Sequence, residues 1–192
     1  MTTPAPDLHS WVTELSTLYQ HVWQLLVRGV KDRRAAARNP TLATVAPSGM
    51  PQARTVVLRA ADQAGAMLEV HTDIRSAKIS ELRTNRFAAL HIWDASAHLQ
   101  TRLETEVTIL SGADVEAMWL RVPDAARISY GGLPKTGAPI ATSLSYTKTP
   151  DRDAFAVLQM RILAMDIVHL GPEHRRARFE RGDGWAGQWL AP

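Results

Sequence analysis

The 192-residue sequence has no cysteine, which excludes disulfides, thiolate nucleophiles and cysteine-held metal and leaves any redox chemistry to a bound cofactor. No stretch approaches the roughly 18 consecutive apolar residues of a membrane span. Met1 to Ser10 also lacks the basic start and apolar core of a signal peptide, so a cytoplasmic protein is expected. Charge of one sign is scarce: 22 Lys+Arg against 19 Asp+Glu leave +3, too little to argue for nucleic acid. Lysine is rare within that sum. Lys31, Lys78, Lys135 and Lys148 are followed in number by many more arginines, a side chain suited to bidentate phosphate recognition.

Other absences narrow the chemistry. There is no Gly-x-Ser-x-Gly elbow of a serine hydrolase. Gly131 to Gly137 superficially suggests a phosphate loop, but the four-residue spacing before Gly-Lys is missing and Pro134 removes an amide. The seven histidines show no metal-ligand spacing, so no metal is expected, and His71 and His91 read as barrel residues. Trp11, Trp23 and Trp93 fall on apolar stripes, so core packing explains them better than base stacking.

What is present is 45% hydrophobic residues, enough for one core and one domain over residues 1–192. Leu8, Trp11, Val12, Leu15, Leu18, Val22, Leu25 and Leu26 recur every three or four positions behind Asp7, a possible N-cap. They predict an amphipathic helix whose stripe needs a partner surface, with the helical segment carried through Arg38 and ended by Asn39-Pro40. From Thr41 the period becomes two. Thr41 to Ala46, Gln52 to Ala60 and Ala66 to Thr72 read as an antiparallel meander separated by turn residues. Ser76 to Arg83 reads as a short helix, Phe87 to Trp93 and Leu99 to Leu110 as strands, and Asp114 to Leu120 as another helix. Residues 131–152 hold three prolines and three glycines with little periodicity, which predicts a functional or mobile loop, a candidate lid. Phe155 to Leu170, Arg175 to Arg181 and Trp185 to Leu190 supply the last strands. About eight strands without β-α alternation predict a mainly β, closed or partly closed antiparallel barrel.

The densest polar constellation is Arg54-Thr-Val-Val-Leu-Arg59 followed by Thr72-Asp-Ile-Arg75-Ser76-Ala-Lys78. Ser76 opens a helix, where unpaired amides and the dipole favour an anion, and Arg54, Arg75 and Lys78 add donors. The same residues also read as solvated arginines at strand ends beside an ordinary capped helix. Arg54 and Arg59 have opposite parity along a regular strand, so both serve one cleft only if the strand twists or bulges.

These residues, with Glu81-Leu-Arg-Thr-Asn85, Ala88 to Trp93, Leu99-Gln100-Thr101-Arg102, Arg178-Phe-Glu180 and Gly184-Trp185, resemble the FMN-binding core of the pyridoxamine 5′-phosphate oxidase family. The resemblance implies an antiparallel split β-barrel homodimer, FMN as cofactor in each of two interface clefts, and an FMN-dependent oxidoreductase acting on an unidentified small molecule. It puts Arg54, Ser76 and Lys78 on the FMN phosphate, with Arg75 substituting for an arginine that the family has where Ala77 stands. It lays Val57, Leu58 and Thr72 along the flavin, and brings Gln100 and Arg178 to its ring. Arg59 replaces a lysine near substrate. The family's substrate-phosphate donors, a tyrosine, an arginine and a serine, fall on Met118, Val122 and Ala126. An authentic oxidase of the vitamer phosphates, a non-catalytic FMN carrier or redox sensor, and a haem-handling relative using His91 or His169 are the rival readings.

Overall fold

The computed structural model describes residues 9–192. Nine strands among them form one antiparallel sheet: β1 Thr41–Val45, β2 Pro51–Thr55, β3 Leu58–Asp62, β4 Met67–Asp73, β5 Phe87–Asp94, β6 Leu99–Ser111, β7 Phe155–Leu170, β8 His174–Glu180 and β9 Gln188–Leu190. Four helices accompany them: α1 Leu15–Lys31, α2 Ala77–Thr84, α3 Glu116–Arg121 and α4 Asp124–Arg127.

The hydrogen-bonded path runs β2-β1-β5-β6-β7-β4-β3, with β8 and β9 branching from β7. Its two ends, β2 and β3, are joined only by Val56 and Val57, about 11 Å of chain at full extension. The sheet must therefore curl until its edges meet at an unpaired seam, which makes it a split barrel. Strand β7 closes the wall because its 16 residues serve two neighbours along one edge. Phe155 to Arg161 pairs with β4 and Ala164 to Leu170 with β8, while β6 follows the other edge. Its near-continuous apolar run fits that buried position; Phe155, Val157, Leu158, Met160, Ile162, Met165 and Ile167 are fully buried.

Several sequence expectations are corrected. Gln52 to Ala60 is two strands, and the predicted meander is interrupted, because β2 pairs with β1 and β3 with β4 across the seam. The N-terminal helix begins at Leu15 after a 3-10 turn at Ser10–Val12, and the proposed cap Asp7 lies outside the described residues. It ends at Lys31 rather than Arg38, because Asp32 is extended and its carboxylate caps the Arg34 amide at 2.9 Å. A 3-10 turn at Ala36–Arg38 then folds back, and Arg38 donates to the carbonyls of Val30 at 2.8 Å and Leu58 at 3.3 Å. The apolar stripe finds its partner within the chain: Leu18, Val22, Trp23 and Leu26 are buried in the main core, and Tyr19 packs 5.4 Å from Phe179.

A smaller core, Val115, Trp119, Val122, Tyr130, Phe155 and Val157, seats α3 and α4 on the start of β7. Phe155 is its hub, with ring centroids of His71 and Tyr130 at 5.0 Å and Trp119 at 5.3 Å. It lies beneath the site described next.

Candidate functional site

At the seam the last residues of β2, the first of β3, the end of β4 and the start of α2 enclose a cleft of about 330 Å³. That lies at the small end of the roughly 300–1,000 Å³ of ligand pockets. Arg54, Val57, Arg59, Thr72, Ser76 and Lys78, six of the ten residues picked from the sequence, line it. The parity conflict between Arg54 and Arg59 is resolved by the break at Val56-Val57 and by a bulge: Leu58 pairs with Val70 and Ala60 with Glu69, so Arg59 sits at the register shift.

Donors dominate its floor. The Lys78 ammonium donates to the hydroxyls of Thr72 at 3.0 Å and Ser76 at 3.2 Å, and those hydroxyls lie 3.2 Å apart. Ser76 is the N-cap of α2; its carbonyl accepts the Ile79 amide at 3.0 Å, while the Ala77 and Lys78 amides have no backbone acceptor among the described residues. Lys78 makes no ion pair among the described residues, and burial lowers its pKa, with the charge of Arg54 adding to the effect. Arg54 itself is held by Glu81, at 2.7 Å from a carboxylate that is only 5% exposed, and by the Thr44 hydroxyl. Arg59 has no ion pair among the described residues either, and its Nε is buried without a hydrogen-bond partner. Lys78 and Arg59 thus bring positive charge to a cleft whose lining carboxylate, Asp73, is engaged by Arg75.

The other sequence candidates lie elsewhere. Leu58 is fully buried in the barrel core. Arg75 forks onto both carboxylate oxygens of Asp73, at 2.9 and 2.5 Å, and reaches the Gly132 carbonyl at 3.3 Å. Gln100 is on β6, its Oε1 3.4 Å from His91 Nε2. Arg178 is on β8, bridging Glu104 at 2.9 and 3.0 Å and Glu180 at 2.7 Å. Neither residue lines the cleft.

The cleft also contains His71, Ser129, Tyr130 and Thr136, which the sequence reading did not select. Burial, reinforced by the charge of Arg59, pushes His71 down to about 4, so its imidazole is neutral near pH 7. Burial raises the Tyr130 hydroxyl, and Arg59 offsets part of that rise. Tyr130 adjoins the Gly- and Pro-rich stretch already singled out, but no spacing marks it as facing β4. Arg59 and His71 also form the near wall of a second cleft of about 280 Å³, closed by Glu69, Met118, Arg121 and Val122.

A family model described as pyridoxamine 5′-phosphate oxidase, FMN-binding domain, matches residues 10–111, more than half of the chain. The chain belongs to this family. Within the pyridoxamine 5′-phosphate oxidase family, a pyridoxine/pyridoxamine 5′-phosphate oxidase of Rhizobium meliloti strain 1021 is 30% identical over 180 residues, 85% of this chain and 84% of the relative. Its counterpart in Thermosynechococcus vestitus is 30% identical over 79% of this chain but only 62% of its own length. Among solved structures, an FMN-binding, pyridoxamine 5′-phosphate oxidase-related protein of Nostoc punctiforme superposes with a TM-score of 0.73 at 26% identity, covering 96% of this chain and 98% of that one. PhzG from Burkholderia lata 383, solved with tetrahydrophenazine-1-carboxylic acid, gives 0.70 at 17% identity over 99% and 100%, a likeness of fold. The sheet is the split barrel of this FMN-binding family, and no described helix is long and apolar enough to cross a membrane.

Proposed function

We propose that the cleft holds FMN, with the phosphate on Lys78, Ser76 and Thr72 and near Arg54, and that the protein is an FMN-dependent oxidoreductase acting on a small organic substrate. The observation that carries this reading is the cluster of Lys78, Thr72 and Ser76 beside the unpartnered Arg59 Nε. Arg59 Nε is buried without an acceptor, and among the described residues the Lys78 ammonium meets only hydroxyls and no carboxylate, an arrangement that fits a dianionic phosphate and polar atoms of a ligand. Each charge-assisted hydrogen bond is worth about 1.5 to 3 kcal/mol, so three or four hold a nucleotide firmly.

The flavin supplies the two-electron chemistry when bound. The chain's own part is to position and to exclude water. Val57 offers an apolar edge at the seam, Arg59 a fixed positive charge, and His71 an uncharged imidazole that carries a single ring proton near pH 7. Gln100 and Arg178 lie outside the cleft of their own chain, and we assign them to the cleft of a second subunit in a homodimer. The exposed Val45, Met50, Phe87 and Trp93 on the β1, β2 and β5 side support an apolar contact there.

The second cleft is assigned to substrate. Met118 and Val122, which stand where the family has phosphate donors, present it with a thioether and an aliphatic group, leaving Arg121 and Arg59 as its cations. The visible spectrum of purified protein tests the cofactor, since flavin bands are expected and haem bands would favour the rival. Anaerobic bleaching of the flavin by NADPH or by a reduced substrate separates a catalyst from a carrier.

A further inference from the structure

Arg75, the phosphate donor expected from the sequence, has its guanidinium engaged elsewhere. Its Nε and Nη2 donate to Asp73 at 2.9 and 2.5 Å, and Nη2 also reaches the Gly132 carbonyl at 3.3 Å. Asp73 is 6% exposed, and its Oδ2 accepts the Gly131 amide at 3.2 Å as well. Burial pushes the Asp73 carboxyl up, but the hydrogen bonds from Arg75 and Gly131 outweigh that and keep it below the usual carboxylate value. The end of β4 is thereby fastened to the start of the 131–151 segment.

The far end of that segment returns to the same point. The Asp151 amide donates to the Tyr130 carbonyl at 2.8 Å, and Leu133 and Thr147 exchange hydrogen bonds of 3.0 and 2.8 Å. Gly131 has φ +115°, and a Cβ there would run into Thr149 and Asp151, so the crossing is close enough to require glycine. From this knot Ser129, Tyr130 and Thr136 face the FMN cleft.

We infer that Arg75 is a positioning residue: with Asp73 it ties the 131–151 segment down so that Tyr130 and Thr136 form one wall of the FMN cleft, and it does not itself hold the phosphate. This rests on the FMN reading above. A wall acts on the whole flavin, whereas a phosphate ligand acts only on the phosphorylated form. Riboflavin lacks that phosphate and separates the two roles.

The test compares FMN and riboflavin dissociation constants for wild type, Arg75→Gln and the Asp73→Asn/Arg75→Gln double variant, which leaves no buried carboxylate unpaired; circular dichroism confirms folding. If the single variant fails to fold, Arg75→Lys with the double variant carries the comparison. Both ligands are expected to weaken together by about tenfold, the loss of one or two hydrogen bonds, with the FMN-to-riboflavin ratio within about twofold of wild type. Limited trypsinolysis read by mass should cut faster after Lys135 and Lys148, inside the released segment, by about the same factor. A tenfold fall in the ratio would show Arg75 to be a phosphate ligand, and unchanged affinities or unchanged cleavage would equally overturn the inference. Failure of the FMN reading is visible separately, as a wild-type protein with no preference for FMN over riboflavin.

Discussion

Arg54 and Glu81, 27 residues apart, meet at 2.7 Å across the seam side of the barrel, with the Thr44 hydroxyl donating to the same carboxylate oxygen. The pair joins β2 to α2 and holds the guanidinium at the cleft edge. Glu81 is nearly enclosed, while the Arg54 side chain is 24% exposed and keeps part of its hydration. Glu81→Ala is therefore expected to lower stability by about 2 kcal/mol, the scale of a charged hydrogen bond and below the roughly 3–5 kcal/mol of a fully buried broken pair. Urea unfolding measures it; a loss within ~0.5 kcal/mol, the level of an ordinary surface change, would show that the pair does not anchor the helix.

His71 gives the protein an acid sensitivity with a definite window. Its folded-state pKa of about 4 lies below the ordinary 6.5, so between those values the unfolded chain binds the proton and the folded chain does not. Stability therefore falls as pH drops from 6.5 towards 4, by up to about 3 kcal/mol from this residue. His21, whose pKa burial also lowers, adds to the same slope. In His71→Phe the thermal midpoint should change less between pH 6.5 and 4 than in wild type. An unchanged pH slope would place His71 in solvent rather than against Phe155.

The barrel was largely legible because period-two runs such as Phe87 to Trp93 and Leu99 to Leu110 are local signals. The interruption at Val56-Val57 was not legible. Both residues are β-formers, and only the pairing of their neighbours with different partners breaks the strand. Lys78 and Ser76 could be placed from motif and helix capping, whereas His71 and Tyr130 reach the cleft through their packing on Phe155, a contact between distant strands and loops. The pairing of Arg75 with Asp73, two residues away, which keeps it out of the cleft lining, was likewise not legible from the motif.

Lys78 should impose its own pH limit on flavin binding. Burial lowers its pKa below 10.5, so the ammonium is lost at a lower pH than an exposed lysine would lose it. Affinity for FMN is expected to fall on the alkaline side, beginning below that value, while riboflavin affinity stays level. Lys78→Arg should remove this fall, since a guanidinium does not titrate there.

The second cleft predicts weak activity on vitamin B6 phosphates. Met118 and Val122 provide no hydrogen bond to a substrate phosphate. Each missing charged contact is worth about 1.5 to 3 kcal/mol, so kcat/KM for pyridoxamine 5′-phosphate should lie several decades below a competent oxidase. Hydrogen peroxide release from FMN-loaded protein decides it. Turnover of about 1 per second or faster would mean that Arg121 and Arg59 replace the missing donors.

The central claim, that Lys78 and its neighbours hold the FMN phosphate, is tested most directly by titrating FMN and riboflavin into wild type, Lys78→Ala and the Arg54→Ala/Lys78→Ala double variant. Circular dichroism on the same samples tracks the fold. The site described here predicts that the double variant loses at least about two decades of FMN affinity, equivalent to roughly 2.8 kcal/mol, while riboflavin binding changes little. Unchanged FMN affinity in a folded double variant would contradict the assignment and move the phosphate out of this cleft.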